Sequence, residues 1–163
     1  MLETQILPPE PPSIRAEVRE RPVDFHQRLI IHFSWRSLGQ VTVRRNGALR
    51  LPEVTSAPGL FRLRIGSGAS MVQLLGETAS LRRRFATLAR AVPSASKGLA
   101  ATIHAALAAG EPVALDIVTG GVIEPLYGRA RAACLADRNE RQLILQASRI
   151  ELLQTGFSVE TVR

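Results

Sequence analysis

The sequence is poor in the residues that build disulfides, metal cages and membrane spans. One cysteine, Cys134, excludes an internal disulfide and a cysteine-based zinc site. The three histidines are scattered without the spacing of metal ligands. No apolar run approaches the roughly 18 residues of a membrane span, and residues 1–12 do not resemble a signal peptide. These absences predict a cytoplasmic protein with no membrane partner and no bound cofactor.

Aromatic residues and lysine are also scarce. Five Phe, one Tyr and one Trp are too few for the stacking platform that binds single-stranded nucleic acid. Lysine supplies one of the 21 basic residues, and arginine supplies the rest. The 163 residues leave room for one packed domain with an extension, and too little for two full domains.

Positive charge is concentrated in the middle of the chain. The net charge of +7 divides into −2 over residues 1–27, +10 over residues 28–97 and −1 over residues 98–163. A basic surface attracts polyanions through the release of their counterions, so nucleic acid is the predicted partner. A solvated surface biased towards arginine is the alternative explanation.

The first third of the chain is predicted to precede the main domain. Residues 1–24 are rich in proline and predict a flexible tail. Residues 25–56 form an N-terminal extension, in which Asn46-Gly47 predicts the type I′ turn of a β-hairpin. The stretch FHQRLIIHFSWRSL fits a helix or a strand. Together, residues 1–56 are the candidate docking element for a protein partner.

Residues 57–163 predict an α/β (α+β) domain, with a small central antiparallel or mixed sheet flanked by helices. Three strands and three helices are expected, with strands over 60–65, 71–75 and 112–119 and helices over about 79–91, 97–109 and 137–154. Thr78 is a candidate cap for the first helix, which should bury Leu81, Phe85 and Leu88. The last helix is expected to turn Leu143, Ala147, Ile150 and Leu153 inward.

The segment PGLFRLRIGSGASMVQLLGETASLRRRF resembles the signature region of the GIY-YIG nuclease superfamily. Gly59-Leu60-Phe61 stands at the first signature triplet and Leu74-Leu75-Gly76 at the second. Arg84 follows Gly76 at the distance at which the family places its catalytic arginine. The resemblance extends over roughly residues 57–158 and agrees in the order of elements.

The resemblance implies a phosphodiester-cleaving site with four groups, most of which this chain lacks. In the family, one tyrosine acts near the attacking water, a second lies beside it, an arginine stabilises phosphate charge, and a glutamate holds one divalent metal. Phe61 and Leu74 stand at the two tyrosine positions and have no hydroxyl, whereas Arg84 is retained. Tyr127 is a weak candidate to replace the lost tyrosine.

Two registers compete for the metal-binding glutamate. Gln146 reproduces the family spacing to Gly156-Phe157-Ser158, and its neutral amide is a poor ligand for a hard cation. Glu140 offers a carboxylate six residues earlier, but with Asp137 it also fits a capping box at a helix start. A bound Mg²⁺ or Mn²⁺ is expected only in the Glu140 register.

These observations favour a degenerate GIY-YIG domain that binds nucleic acid, most naturally DNA, within a larger nucleic-acid-processing complex. The predicted interface consists of nine arginines, Arg44, Arg45, Arg50, Arg62, Arg64, Arg82, Arg83, Arg84 and Arg90.

Two alternative functions stay open. One is an active metal-dependent endonuclease that uses Arg84, Glu140 and Tyr127. The other is a protein-interaction module. The resemblance further predicts that Phe61, Leu74 and Arg84 converge in one shallow groove with Gln146 or Glu140.

Overall fold

The computed structural model describes residues 29–91, 98–125 and 128–162. The predicted tail, residues 1–24, lies outside these ranges. The described strands are β1 (Leu29–Phe33), β2 (Arg36–Gln40), β3 (Thr42–Val43), β4 (Leu49–Arg50), β5 (Gly59–Ile65), β6 (Val72–Thr78), β7 (Val113–Val118), β8 (Gly121–Pro125), β9 (Arg131–Ala132) and β10 (Ser158–Thr161). The described helices are α1 (Leu81–Arg90), α2 (Leu99–Ala108) and α3 (Arg138–Gln154). The predicted α/β class is confirmed.

The main sheet has the strand order β10-β6-β5-β7-β2. The central strand β5 pairs antiparallel with β6 and with β7, and β10 runs parallel to β6 at the edge. Successive side chains of a strand point to opposite faces of a sheet. Phe61 and Leu63 therefore lie on one face, here called the α1/α2 face, and Leu60 and Arg62 lie on the other, the α3 face.

On the α1/α2 face, the two shorter helices cover an apolar core. As predicted, α1 buries Leu81, Phe85 and Leu88, and these side chains pack against the sheet in one cluster. Ile103 of α2 and Leu49 of the β3–β4 hairpin belong to the same cluster. Helix α1 and the hairpin therefore form one layer over this face.

On the α3 face, the last helix packs with a different side from the one expected. Its buried residues are Arg141, Ile144, Leu145, Ser148 and Leu152. Two residues that were expected to be buried, Ile150 and Leu153, are 57% and 47% exposed. The predicted inward face of this helix was wrong. The apolar spacing correctly indicated a helix, but it placed the buried side chains on the wrong side of that helix.

From residue 29 onward, the segment that fitted a helix or a strand forms two strands. β2 pairs with β7 at the edge of the main sheet, and β1 pairs with β8 in a second sheet of order β1-β8-β9. A turn lies at the predicted place, with Gly47 at φ +81°, but the predicted type I′ was wrong, because it needs a positive φ at Asn46 as well and no described residue other than glycine has one. The Gly47 N–H instead donates to the Arg44 carbonyl at 2.9 Å. Val41, Leu49 and Val54 are buried in the same core as α1. The described part of the predicted extension thus shares its core with the domain that was expected to begin at residue 57.

Three short strands were not predicted, namely β8, β9 and β10. β8 follows β7 after Thr119 and Gly120, where glycines had indicated the end of the strand. Within the described ranges, none of the helices combines the length and apolar character needed to cross a membrane.

Candidate nucleic-acid interface

Three of the predicted arginines lie on the β3–β4 hairpin. Arg44 and Arg45 are in the turn, where Asn46 Oδ1 accepts a hydrogen bond from the Ala48 N–H at 3.1 Å. Arg50 follows Leu49, which is buried against the helices, so alternation points the Arg50 side chain outward. All three arginines are exposed.

Three more arginines lie at the start of α1. The helix is capped by Ser80, whose Oγ accepts a hydrogen bond from the Arg83 N–H at 3.4 Å. The expected cap, Thr78, instead accepts the Ser80 N–H at 3.2 Å. Arg82 and Arg83 project into solvent and Arg84 is half-buried. Arg90, another arginine of the predicted interface, is the last residue of α1 and is exposed.

Backbone hydrogen bonds attach the first turn of α1 to the chain that leaves the hairpin. The Leu81 N–H donates to the Ala57 carbonyl at 3.1 Å and the Arg82 N–H donates to the Thr55 carbonyl at 3.0 Å. These bonds and the Ser80 cap satisfy the amide donors that a helix start leaves unpaired. An anion at this position would therefore meet arginine side chains, not free backbone N–H groups.

The hairpin and α1 together form what we call the arginine layer, residues 41–58 and 79–91. It carries seven arginines and one acidic residue, Glu53. Among the residues that the structure describes, six of these arginines make no ion pair; they are Arg44, Arg45, Arg50, Arg82, Arg83 and Arg90. Their charges are therefore available to an external partner.

The structure separates Arg62 and Arg64 from the other predicted arginines. Both lie on the α3 face, where Asp116 accepts hydrogen bonds from Arg62 Nε at 2.9 Å and from Arg64 Nε at 2.8 Å. Arg62 also stacks over the Trp35 ring at 4.6 Å. Burial by itself raises the pKa of Asp116, but the hydrogen bonds from Arg64 and Arg62 outweigh it and lower that pKa below its ordinary value.

At the first tyrosine position, Phe61 is a core residue. Its ring is completely buried and packs edge-on against Phe85, with a centroid separation of 5.3 Å. The Arg84 guanidinium lies 5.7 Å from the centre of the same ring. The ring also covers Gly76, where a Cβ atom would overlap it. The structure thus places Phe61 and Arg84 together, and what joins them is packing and a cation–π contact.

The other signature positions also have a packing explanation. A Cβ atom on Gly59 would overlap the Val118 carbonyl of the neighbouring strand, so close strand packing requires this glycine. Leu74 lies opposite Leu63 and is buried in the α1/α2 core. Phe61, Leu74 and Arg84 therefore lie on the same face of the sheet. No groove opens at Phe61 or Leu74, because both side chains are buried.

The two candidates for the glutamate position lie in the other layer. Helix α3 packs on the α3 face through Leu60, Leu75 and Val118, so neither Gln146 nor Glu140 approaches Phe61. The expected convergence of four groups is therefore wrong. Gln146 is exposed, and Tyr127 lies outside the described residues.

Glu140 is already occupied by protein donors. Its Oε1 pairs with Arg131 at 2.9 Å, and its Oε2 accepts the Cys134 N–H at 2.6 Å. The hydrogen bond from Arg131, followed by that from the Cys134 amide, lowers the pKa of Glu140. The neighbouring cleft of about 460 Å³ is lined mainly by Leu29, Ile123 and other apolar residues. In the described part of the chain, no group of three or more His, Cys, Asp or Glu residues could hold a metal ion.

Sequence reasoning missed two polar clusters on the α3 face. Asp116 lies in the otherwise apolar segment VALDIV, and a charge in a buried strand requires a partner, so a signal was present. Glu77 accepts a hydrogen bond from Arg141 at 2.6 Å and one from Gln142 at 3.1 Å. Glu77 is so far from Arg141 and Gln142 in the chain that no local sequence pattern links them.

No protein-family model, no curated protein and no solved structure matches this chain, so its function has to be inferred from its own residues.

Proposed function

We propose that this protein binds double-stranded nucleic acid through the arginine layer and does not cleave it. The observation that carries this proposal is the set of six exposed arginines without an ion-pair partner in the described residues. The layer has a net charge of +6 from seven arginines and Glu53. Neutralised phosphates release condensed counterions, which is the main source of affinity for such a surface.

The position of Arg82 and Arg83 supports a role in binding. A helix N-terminus carries partial positive charge and favours acidic residues in its first turn. α1 has no acidic residue in its first turn and begins with Leu81 followed by three arginines. This arrangement costs local helix stability, and a polyanionic partner would offset that cost.

The chemistry at the signature positions argues against hydrolysis. Phe61 and Leu74 are buried and carry no hydroxyl that could transfer a proton. The candidate metal-binding carboxylate, Glu140, is paired with Arg131 and lies in the other layer. Cleavage of a nucleic-acid strand would need at least a nucleophile and a metal ion or base together in the same site.

The proposal also covers the family to which the protein belongs and its location in the cell. A GIY-YIG scaffold that has lost its chemistry is supported by the antiparallel β5–β6 pair, by the helix that follows it, and by Arg84 against Phe61. The protein would act as part of a nucleic-acid-processing complex. It would do so in the cytoplasm.

The test is a binding titration with labelled duplex DNA and duplex RNA at 50 to 300 mM salt, measured by fluorescence anisotropy. Six phosphate contacts predict that log K falls with log salt with a slope of about −5. The double variant Arg82→Ala/Arg83→Ala should bind more weakly to every sequence, and its slope should be smaller by about 2.

A matched variant removes the same charge elsewhere. Arg129→Ala/Arg149→Ala replaces two exposed arginines outside the arginine layer, so it should bind as the wild-type protein does. Salt-independent binding, or equal losses in the two double variants, would contradict the proposed surface. Nicking of plasmid DNA by the wild-type protein with Mg²⁺ or Mn²⁺, abolished by Arg84→Ala, would contradict the absence of cleavage.

A further inference from the structure

Helix α3 has apolar side chains on two opposite sides. Successive residues of a helix are separated by about 100° around its axis, so the buried residues, among them Arg141 and Ser148, centre on the side that faces the sheet. Ile150 lies on the opposite side and is 57% exposed, and Leu153 is 47% exposed beside it. The outer side of a surface helix normally carries polar residues, so this apolar side requires an explanation.

The outer side of α3 carries what we call the apolar stripe, the residues Leu143, Ala147, Ile150 and Leu153. Their spacing of three and four residues keeps them on one side of the helix. At its first residue the stripe meets the cleft of about 460 Å³, because Leu143 lines that cleft together with Leu29 and Pro125. The apolar surface therefore continues from α3 onto β1 and β8.

The two edges of the apolar stripe carry opposite charges. Relative to Ile150, Arg149 lies about 100° to one side of the helix and Glu151 about 100° to the other. Both residues are exposed. Neither makes an ion pair within the described ranges of the chain. The basic edge of one α3 helix is therefore complementary to the acidic edge of a second α3 helix.

Charge also distinguishes this side of the molecule from the other. The arginine layer has a net charge of +6 and packs on the opposite face of the main sheet, so two copies that met there would repel each other. On α3, Arg149 and Glu151 balance each other and the stripe between them is uncharged. A strongly basic protein associates with itself most readily at such a neutral, apolar face.

We propose that two copies of this chain associate through the apolar stripe, with their α3 helices parallel to each other and to a two-fold axis. In this arrangement Arg149 of each copy lies beside Glu151 of the other, and the symmetry forms this ion pair twice. In an antiparallel two-fold arrangement, each acidic edge would instead face an acidic edge. The charges therefore favour the parallel arrangement, and the burial of Ile150 and Leu153 supplies the affinity.

The test is sedimentation velocity of the full chain over a range of concentrations. The contact of two single helices is small for a stable complex, so we expect a reversible dimer with a dissociation constant of about 10–100 µM. Ile150→Glu places a charge at the centre of the apolar contact and should abolish the dimer. The matched control is Ile30→Glu. Ile30 is 53% exposed on β1 and points away from the cleft that Leu29 lines, so this variant should dimerise as wild type does.

Charge substitutions test the parallel arrangement. Glu151→Arg places two arginines side by side and should weaken the dimer by about tenfold. Arg149→Glu places two acids side by side and should weaken it to a similar extent, although the two variants change the net charge in opposite directions. The double variant Arg149→Glu/Glu151→Arg exchanges the two edges, so its affinity should stay within about twofold of wild type.

A wild-type chain that stays monomeric at the highest concentration would overturn the proposal and leave the apolar stripe to a different protein. Dimers that Ile150→Glu does not weaken would place the contact elsewhere and would also overturn it. Single charge variants that dimerise as wild type does would contradict the parallel arrangement. Neither Ile150 nor Glu151 belongs to the arginine layer, so this proposal and the nucleic-acid proposal can fail separately.

Discussion

Gly76 and Phe61 show how one contact explains two residues of a signature. The Phe61 ring occupies the space that a side chain at position 76 would need, and the same ring contacts Phe85 and Arg84. The sequence pattern singled out both positions and showed that Phe61 has no hydroxyl. It did not show that the Phe61 ring is buried in the core against Gly76.

We predict that Gly76→Ala lowers the free energy of unfolding by about 1–3 kcal/mol, because the added methyl group overpacks the core against Phe61. Urea denaturation measures this change. The matched control is Gly120→Ala, since nothing lies within 4 Å of a Cβ atom at that position and its cost should stay within about 0.5 kcal/mol.

The contact with Phe61 can be tested by a double-mutant cycle. In a Phe61→Leu background the smaller side chain makes room, so Gly76→Ala should cost less than it does in wild type. Additive effects of the two substitutions would show that the clash with the ring is not the reason for the glycine.

At the scale of elements, Arg141 attaches α3 to the sheet. Its side chain is 5% exposed, and it donates to Glu77 on β6 at 2.6 Å. It also donates to the carbonyls of Leu135 and Ala136, in the segment before the helix. A buried guanidinium is stable only when its donors are paired in this way.

We predict that Arg141→Met destabilises the protein by about 3–5 kcal/mol, because it leaves the Glu77 carboxylate without its main partner. Arg149→Met removes an exposed arginine of the same helix and should change stability by less than about 0.5 kcal/mol. Equal effects in thermal denaturation would mean that Arg141 contributes only through general helix properties.

The same residue explains why the inward face of α3 was predicted wrongly. Apolar periodicity favoured Ile150 and Leu153 as buried positions, whereas Arg141 and Ser148 took inward positions. An arginine is assigned to the surface unless its partner is known. The partner, Glu77, is 64 residues away in the chain.

At the scale of the whole molecule, two carboxylates paired with arginines, Glu77 and Asp116, link stability to pH. Burial raises the pKa of Glu77, but hydrogen bonds from Arg141 and Gln142 outweigh it and lower that pKa. The pKa of Asp116 is lowered in the same way by Arg64 and Arg62. A carboxyl group with a lower pKa in the folded state stabilises the fold above its unfolded pKa, and this contribution is lost as the pH falls through the folded value.

We predict that the thermal midpoint is nearly constant above about pH 6 and falls below about pH 5, because unfolded Asp and Glu titrate near pH 4. Asp116→Asn should have a lower midpoint at pH 7, where Arg62 and Arg64 lose their ion pair. It should also lose less stability than wild type between pH 6 and pH 3. A pH profile parallel to that of wild type would contradict the role of Asp116.

The sequence by itself determined the α/β class, the three helices, the position of the turn at Asn46-Gly47 and the concentration of arginine in residues 28–97. These features depend on local propensity, turn chemistry and composition, which a short window of sequence contains. Tertiary structure alone decided which face each arginine occupies. Strand pairing placed Arg62 and Arg64 beside Asp116, and helix packing separated Glu140 from Phe61. Such contacts join residues far apart in the chain, and their energies depend on burial that local sequence does not specify.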